Sequence, residues 1–257
     1  MIIINADDFG CDAEVNDAVL QCFRDGLCSS TTLMANMPAF EEACDLVHQE
    51  KLGNHVGLHL VLRDGFPLTE PLKKVPAFCD STGRLSVLRV RPVLSLSGEE
   101  KRALAGEIRA QISRCRRLGV PLTHVDSHYH MHTNFTIASV LVDVMREQGL
   151  SHLRISRNCG PGIPKAKSLY KGAFNRWLGW KKVAATRYFG SITDFLYLTE
   201  RNSHAISQND AIEIAIHPML NEGSEVVDRD TQCGVVEAVK KIAEYRQAVS
   251  FAGYRYG

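Results

Sequence analysis

The sequence predicts an α/β fold in which a parallel sheet, closed into a barrel or forming part of one, carries helices packed on it. Short β-type runs alternate with helical stretches, the pattern of parallel strands joined by crossover helices. A length of 257 residues suits one large α/β domain, barrels included. Several apolar runs also end in acids or histidines, and α/β sheets hold their ligands at the carboxyl ends of their strands.

The chain opens with MIIINADDFG, an apolar β-type run that leads straight into Asp7 and Asp8, with Gly10 just beyond. Two carboxylates this close are hard to keep ionised together unless they share a cation or a proton. The first strand is expected at 1–5, followed by a helix at 12–25, a strand at 30–35 and a helix at 38–50. A third strand at 54–61 contains His59 between Leu58 and Leu60, where an imidazole must find a partner or stay neutral. His55, at the start of that run, reads as structural. The segment 63–97 holds Pro67, Pro71, Pro76 and Pro92 and shows little periodicity, so it is expected as an excursion, or lid, over one end of the fold.

A helix at 98–118 precedes a strand at 122–126 that ends in Asp126 and is followed by His128, His130 and His132. Neutral imidazole is a common transition-metal ligand, and an extended segment would point alternate residues to one side. Asp126 is placed to orient an imidazole through its second nitrogen. Further elements are expected as helices at 134–148, 165–180 and 230–246 and strands at 152–156, 192–197 and 211–216. The last of these strands runs into His217 ahead of Pro218, a candidate acid or base. Arg154 is placed to hold the Asp7 carboxylate in a two-point contact and keep it ionised.

Thirty Lys and Arg against 29 Asp and Glu give a net charge of +1, which supplies no global reason to expect nucleic acid as a partner. The eight cysteines form no CxxC pair and read as reduced thiols. With no basic, apolar leader pattern and no apolar run long enough to span a bilayer, a cytoplasmic protein is expected. In a parallel fold, Asp7, Asp8, His59, His128 and His217 converge on one face. One carboxylate with two histidines would leave open positions on a divalent ion, as catalytic sites do.

NADDFG at 5–10, GLHL at 57–60, THVDSHYHMH at 123–132, LRI at 153–155 and IHP at 216–218 together resemble the YdjC-like carbohydrate deacetylases, a family that includes the ChbG and HpnK types. The resemblance extends over most of residues 1–220. It implies a distorted (β/α) TIM-like barrel, with 1–257 as a single domain, that removes an N-acetyl group from an amino sugar. It further implies one divalent metal ion, Mg²⁺ or Zn²⁺, held by Asp8, His59 and His128, with Asp7 as general base and His217 as proton donor to the leaving amine. The tail after about Val227, closing in SFAGYRYG, departs from the family pattern, and nothing in 63–97 names a sugar.

Rival functions weigh less. A phosphoacceptor signalling domain needs an Asp where the third strand offers His59. A barrel phosphoesterase or amidohydrolase usually carries its HxH on the first strand, and a non-catalytic carbohydrate-binding relative has no need of Asp7 or His217. Tyr170, Phe174, Trp177, Trp180 and Tyr188, interleaved with basic residues, are expected to pack on the core or on a second subunit in a homodimer. Contact with an anionic membrane surface, or sugar stacking, is the lesser reading.

Overall fold

The computed structural model describes residues 1–86, 95–201 and 210–243. Its elements are β1 (Ile2–Phe9), α1 (Ala13–Arg24), β2 (Ser30–Leu33), α2 (Phe40–Gln49), β3 (Val56–Leu60), α3 (Glu70–Lys73), α4 (Gly98–Arg117), β4 (Val125–Ser127), α5 (Phe135–Glu147) and α6 (Lys165–Trp180), then β5 (Tyr188–Ser191), α7 (Ile192–Arg201), β6 (Ile212–Ile216), β7 (Pro218–Leu220), β8 (Val226–Asp228) and α8 (Val235–Ala243). Six strands form one all-parallel sheet in the order β4-β3-β2-β1-β6-β5, which curls into a half-barrel, while β7 and β8 form a separate antiparallel pair.

Every residue of β1 is buried, so its alternation separates two interiors rather than core from solvent. Ile2, Ile4 and Ala6 join the apolar core with Leu33, Leu58, Val125 and Ile214. The intervening Asn5 and Asp7 point to the concave face, where Asn5 Nδ2 donates to Asp7 Oδ1 and to Thr32 Oγ1. That face carries a buried polar column, with His59, His124, Asp126, Arg154 and Glu213 completing it. Helix starts are fixed by their caps: Asp12 accepts from Val15 N in front of α1, and Ser97 with Glu100 forms a capping box on α4.

Among the described residues the sheet does not close into a barrel. The segment expected as a strand at 152–156 makes only single bridges, Leu153 to Val125 and His152 to Ala184, so β4 and β5 remain edges of the ladder. The expected strand at 192–197 is instead the first part of α7, and the edge strand lies just before it at Tyr188–Ser191. The reason is a reciprocal cap: Ser191 N donates to Asp194 Oδ2 and Asp194 N to Ser191 Oγ, which starts a helix exactly where periodicity alone reads an apolar run. The helix expected at 230–246 starts only at Val235, after the β7–β8 pair. Residues 87–94 of the excursion, Pro92 among them, positions 244–246 of that helix and the closing SFAGYRYG lie outside the described residues.

The excursion is tied down by α4. Buried Glu107 accepts from Leu68 N and from both Thr69 N and Oγ1, and Gln111 Nε2 donates to Val61 O and to Glu107. Gly57 in β3 is required by its neighbour, because a Cβ there would lie 2.5 Å from the His124 ring. Since His124 Nε2 in turn lies 3.2 Å from Asn5 Oδ1, crowding at Gly57 is felt on β1. Gly57→Ala is expected to destabilise the fold by roughly 1–3 kcal/mol, the usual cost of overpacking, read as a lowered urea midpoint at unchanged slope.

Candidate metal centre

Asp8 sits where β1 breaks its alternation. Between Ala6 and Phe9 the strand holds one residue more than β2, a bulge in which Asp8 takes φ +69°, a left-handed conformation uncommon outside glycine. Strict period-two geometry would turn Asp7 and Asp8 to opposite faces, and the bulge brings both carboxylates to the carboxyl edge. His59 of β3 lies in register with Asp126 of β4, which sets its Nδ1 at 2.7 Å from Asp126 Oδ1 and leaves Nε2 at 3.2 Å from Asp8 Oδ1. His128, directly after β4, brings Nδ1 to 3.0 Å from the same oxygen and Nε2 to 3.4 Å from Asp64.

One ligand atom each from Asp8, His59 and His128 lies within 4.8 Å of the others. Asp8 Oδ1 is buried and has no hydrogen-bond partner among the described residues, although two imidazole nitrogens converge on it, the arrangement expected of ligands drawn around a cation. Its other oxygen receives Arg229 Nη2 at 2.6 Å. Burial would push His59 down, yet Asp126 and Asp8 outweigh it and hold the imidazole up at about 10, so the centre calls for positive charge. A carboxylate, two imidazoles and a carboxylate behind one of them make a donor set that fits a divalent cation with open positions. Asp7, His59 and Asp126 form a second such group, but there the Arg154 guanidinium already bridges the two acids.

Arg154 is fully buried. Its Nη1 and Nη2 reach Asp7 Oδ2 and Oδ1 at 2.6 and 2.7 Å, Nη1 also reaches Asp126 Oδ2 at 2.7 Å, and Nε donates to Glu213 Oε1 at 2.5 Å. Burial raises the Asp7 carboxyl, but the guanidinium beside it prevails and holds it well below the usual carboxylate range. His217 lies half-buried, Nε2 at 3.8 Å from Asp7 and Nδ1 at 3.3 Å from Asp230. Asp7, Asp8, His59, His128, His217 and Asp230 line one cleft of about 900 Å³ that also holds Phe66 and Tyr129, while Arg154, Asp126 and Glu213 lie behind its wall. Cys11 lines it too, and burial and the nearby Asp8 push its thiol up to about 12.

The three alternating histidines do not act together. His128–Thr133 is a 3-10 turn rather than an extended segment, with Tyr129 and His130 both at φ 53°, so successive imidazoles fan apart. His132 is buried 2.6 Å from Ser127 Oγ and closes the turn, while His130 rests 5.6 Å from the Phe189 ring. Sequence reasoning also passed over Asn5, Thr32, Asp64, Glu213 and Arg229. Glu213 had one signal, a lone acid as the second residue of the apolar run IEIAI. Burial pushes its carboxyl up and Arg154 only partly offsets this, leaving it at about 7. Because the folded value lies above the free side chain's 4.5, stability from this group is complete below about pH 4.5 and is lost as pH rises through 7. Glu213→Gln should therefore flatten the decline in urea stability between pH 5 and 8, a difference of up to roughly 3 kcal/mol between the two proteins.

The YdjC-like protein family matches residues 1–248. Proteins named carbohydrate deacetylase are similar: that of Brevibacillus brevis is 37% identical over 147 residues, 57% of this chain and 56% of that protein. The one from Geobacillus stearothermophilus is 36% identical over 160 residues, 62% and 61% of the two chains. The matched part thus spans less than two thirds of these relatives' length, whereas the Halalkalibacterium halodurans protein of the same name is 28% identical over 84% of both. Among solved structures, a candidate cellobiose-phosphate cleavage protein from Enterococcus faecalis V583 shares the fold, with a TM-score of 0.72 at 20% identity and 97% coverage of each chain. A bulged Asp-Asp strand end, a GLHL strand and a histidine turn gathered on one sheet edge, in a sequence matched almost from end to end, place this chain in the YdjC-like family.

Proposed function

We propose that this chain is a metal-dependent hydrolase that removes the N-acetyl group of an amino sugar and releases acetate. The observation that carries the reading is an ionised Asp7 beside the Asp8, His59 and His128 cluster on the wall of a sugar-sized cleft. A divalent cation, Mg²⁺ or Zn²⁺, held by those three side chains would supply Lewis-acid polarisation of the amide carbonyl and a water of lowered pKa. Asp7 is the general base toward the attacking water, since Arg154 keeps it ionised and fixes both its oxygens. His217, on the open side of Asp7, carries a proton to the departing nitrogen, steadied by the Asp230 carboxylate. Phe66 and Tyr129, half exposed in the same cleft, offer ring faces to the apolar side of a pyranose. The names of the relatives point to the same chemistry.

Acetate release from a panel of N-acetylated mono- and oligosaccharides, with Mg²⁺, Zn²⁺ or chelator added, tests this reading, and a phosphate monoester in the panel tests the phosphoesterase rival. Chelator-sensitive release of acetate is expected. Asp7→Asn should lower kcat by roughly a hundred- to ten-thousandfold while metal remains bound by calorimetry, and full activity of that variant would remove the proposed base. Asp126→Asn, which loosens His59, should instead weaken metal affinity by roughly ten- to a hundredfold.

A further inference from the structure

Helix α6 presents a surface that the cleft does not use. Phe174 and Leu178 face the core, and Trp177 packs at 5.6 Å against Phe135. The opposite face carries Leu169, Ala173 and Trp180, with Leu169 75% and Trp180 76% exposed, separated by exposed Arg176. Residues 165–182 hold six cations, Lys165, Lys167, Lys171, Arg176, Lys181 and Lys182, and no acid. Of the 30 Lys and Arg this leaves 24 for the rest of the chain against 29 acids, so the basic charge is concentrated here.

We infer that α6 is a docking face for an anionic lipid bilayer, lying in the headgroup plane with Leu169 and Trp180 in the acyl boundary and its cations among the lipid phosphates. Lys165 and Arg176 share the helix face of Leu169 and Trp180, and cations beside exposed aliphatic and indole groups on one face are what such an interface needs. A second copy of the chain fits less well, because pairing two such faces would set like charges opposite each other. A nucleic acid would engage the cations but gain nothing from Leu169. The helix is rigidly mounted: Tyr170 Oη donates to Thr133 O at 2.9 Å, and Asn175 exchanges two hydrogen bonds with the Ser156 backbone. It therefore borders the turn that carries His128, and docking would bring that side of the cleft to the lipid surface.

Both tryptophans of the protein, Trp177 and Trp180, belong to this helix, so intrinsic fluorescence reports on it directly. The test is flotation and tryptophan emission of the full chain with phosphatidylglycerol-containing vesicles, pure phosphatidylcholine vesicles and a single-stranded oligonucleotide. Flotation and a blue shift with anionic vesicles alone, weakened by salt, are expected, and Trp180→Phe should abolish most of the shift. Replacing Lys165 and Arg176 with Gln should lower vesicle affinity by about twenty-fivefold, about fivefold per cation, and Leu169→Ser should lower it further, with urea midpoints unchanged. Absence of binding, equal binding to neutral vesicles, an equal response to the oligonucleotide, or sedimentation as a dimer that Leu169→Ser dissociates would each overturn the inference.

Discussion

The concave face depends on one guanidinium. Arg154 stands fully buried among Asp7, Asp126 and Glu213, and each acid is drawn from a different strand or strand end. Burying four ionisable groups is costly, and replacing such a cluster by well-packed apolar residues is often neutral or stabilising. Its presence is therefore better explained by chemistry than by stability. With Asp8 added, four buried carboxylates face Arg154 and the half-exposed Arg229, and Glu213 moderates the excess by holding its proton up to about neutral pH. The remaining negative charge lies at Asp8, where the histidines gather. The same interaction thus keeps Asp7 ionised and leaves the neighbouring carboxylate in need of a cation.

Register explains why these groups meet with so little chain. His59 and Asp126 are cross-strand partners, and Thr32 on the next strand bonds both Asp126 Oδ2 at 3.0 Å and Asn5 Nδ2 at 3.1 Å. Asn5 then donates to Asp7 Oδ1 at 2.8 Å. One row of inward residues across β1, β2, β3 and β4 becomes a continuous network in which each polar atom fixes the next. A slip of one residue in any strand would turn its member of the row into the apolar layer, so core packing on the convex face also fixes the alignment of the concave one.

Much of this was visible in the sequence and some of it could not be. Runs ending in Asp7-Asp8 and His217, and the lone His59 inside an apolar run, marked the ligand edge because a fully buried parallel strand is otherwise apolar. Helices such as α6 matched their periodicity because an amphipathic pattern over sixteen residues is hard to mistake. By contrast, Asn5, Thr32 and Glu213 gave weak signals, since a polar residue inside a strand reads equally as a solvent face until the opposite side is known to be covered. The misplaced strand at 192–197 fell to Ser191 and Asp194, a local cap stronger than an apolar run of the same length. Closure stops at 152–156, where the chain touches β4 and the segment before β5 only through the bridges Leu153 to Val125 and His152 to Ala184.

The two candidate ligands that do not come from ideal strands share a device. Asp8 stands in a left-handed bulge and His128 at the head of a turn whose next two residues, Tyr129 and His130, are also left-handed, each such non-glycine residue costing on the order of 1–3 kcal/mol. Such strain persists only when the surroundings impose it. At β1, Cys11 N closes a turn on Asp8 O at 3.0 Å and Gly10 N is held by buried Asn16 Oδ1 at 2.8 Å. At β4, Ser127 Oγ receives His132 N at 2.9 Å and Thr133 Oγ1 bonds His130 O at 2.8 Å. His59, supplied by an unbroken ladder, needs no such support. Alternation alone can give one ligand per strand at a fixed spacing. Two local breaks of alternation, each locked by a buried side chain, bring the other two candidate ligands onto the same point, and it is this departure from regular sheet geometry that turns a polar column into a candidate metal centre.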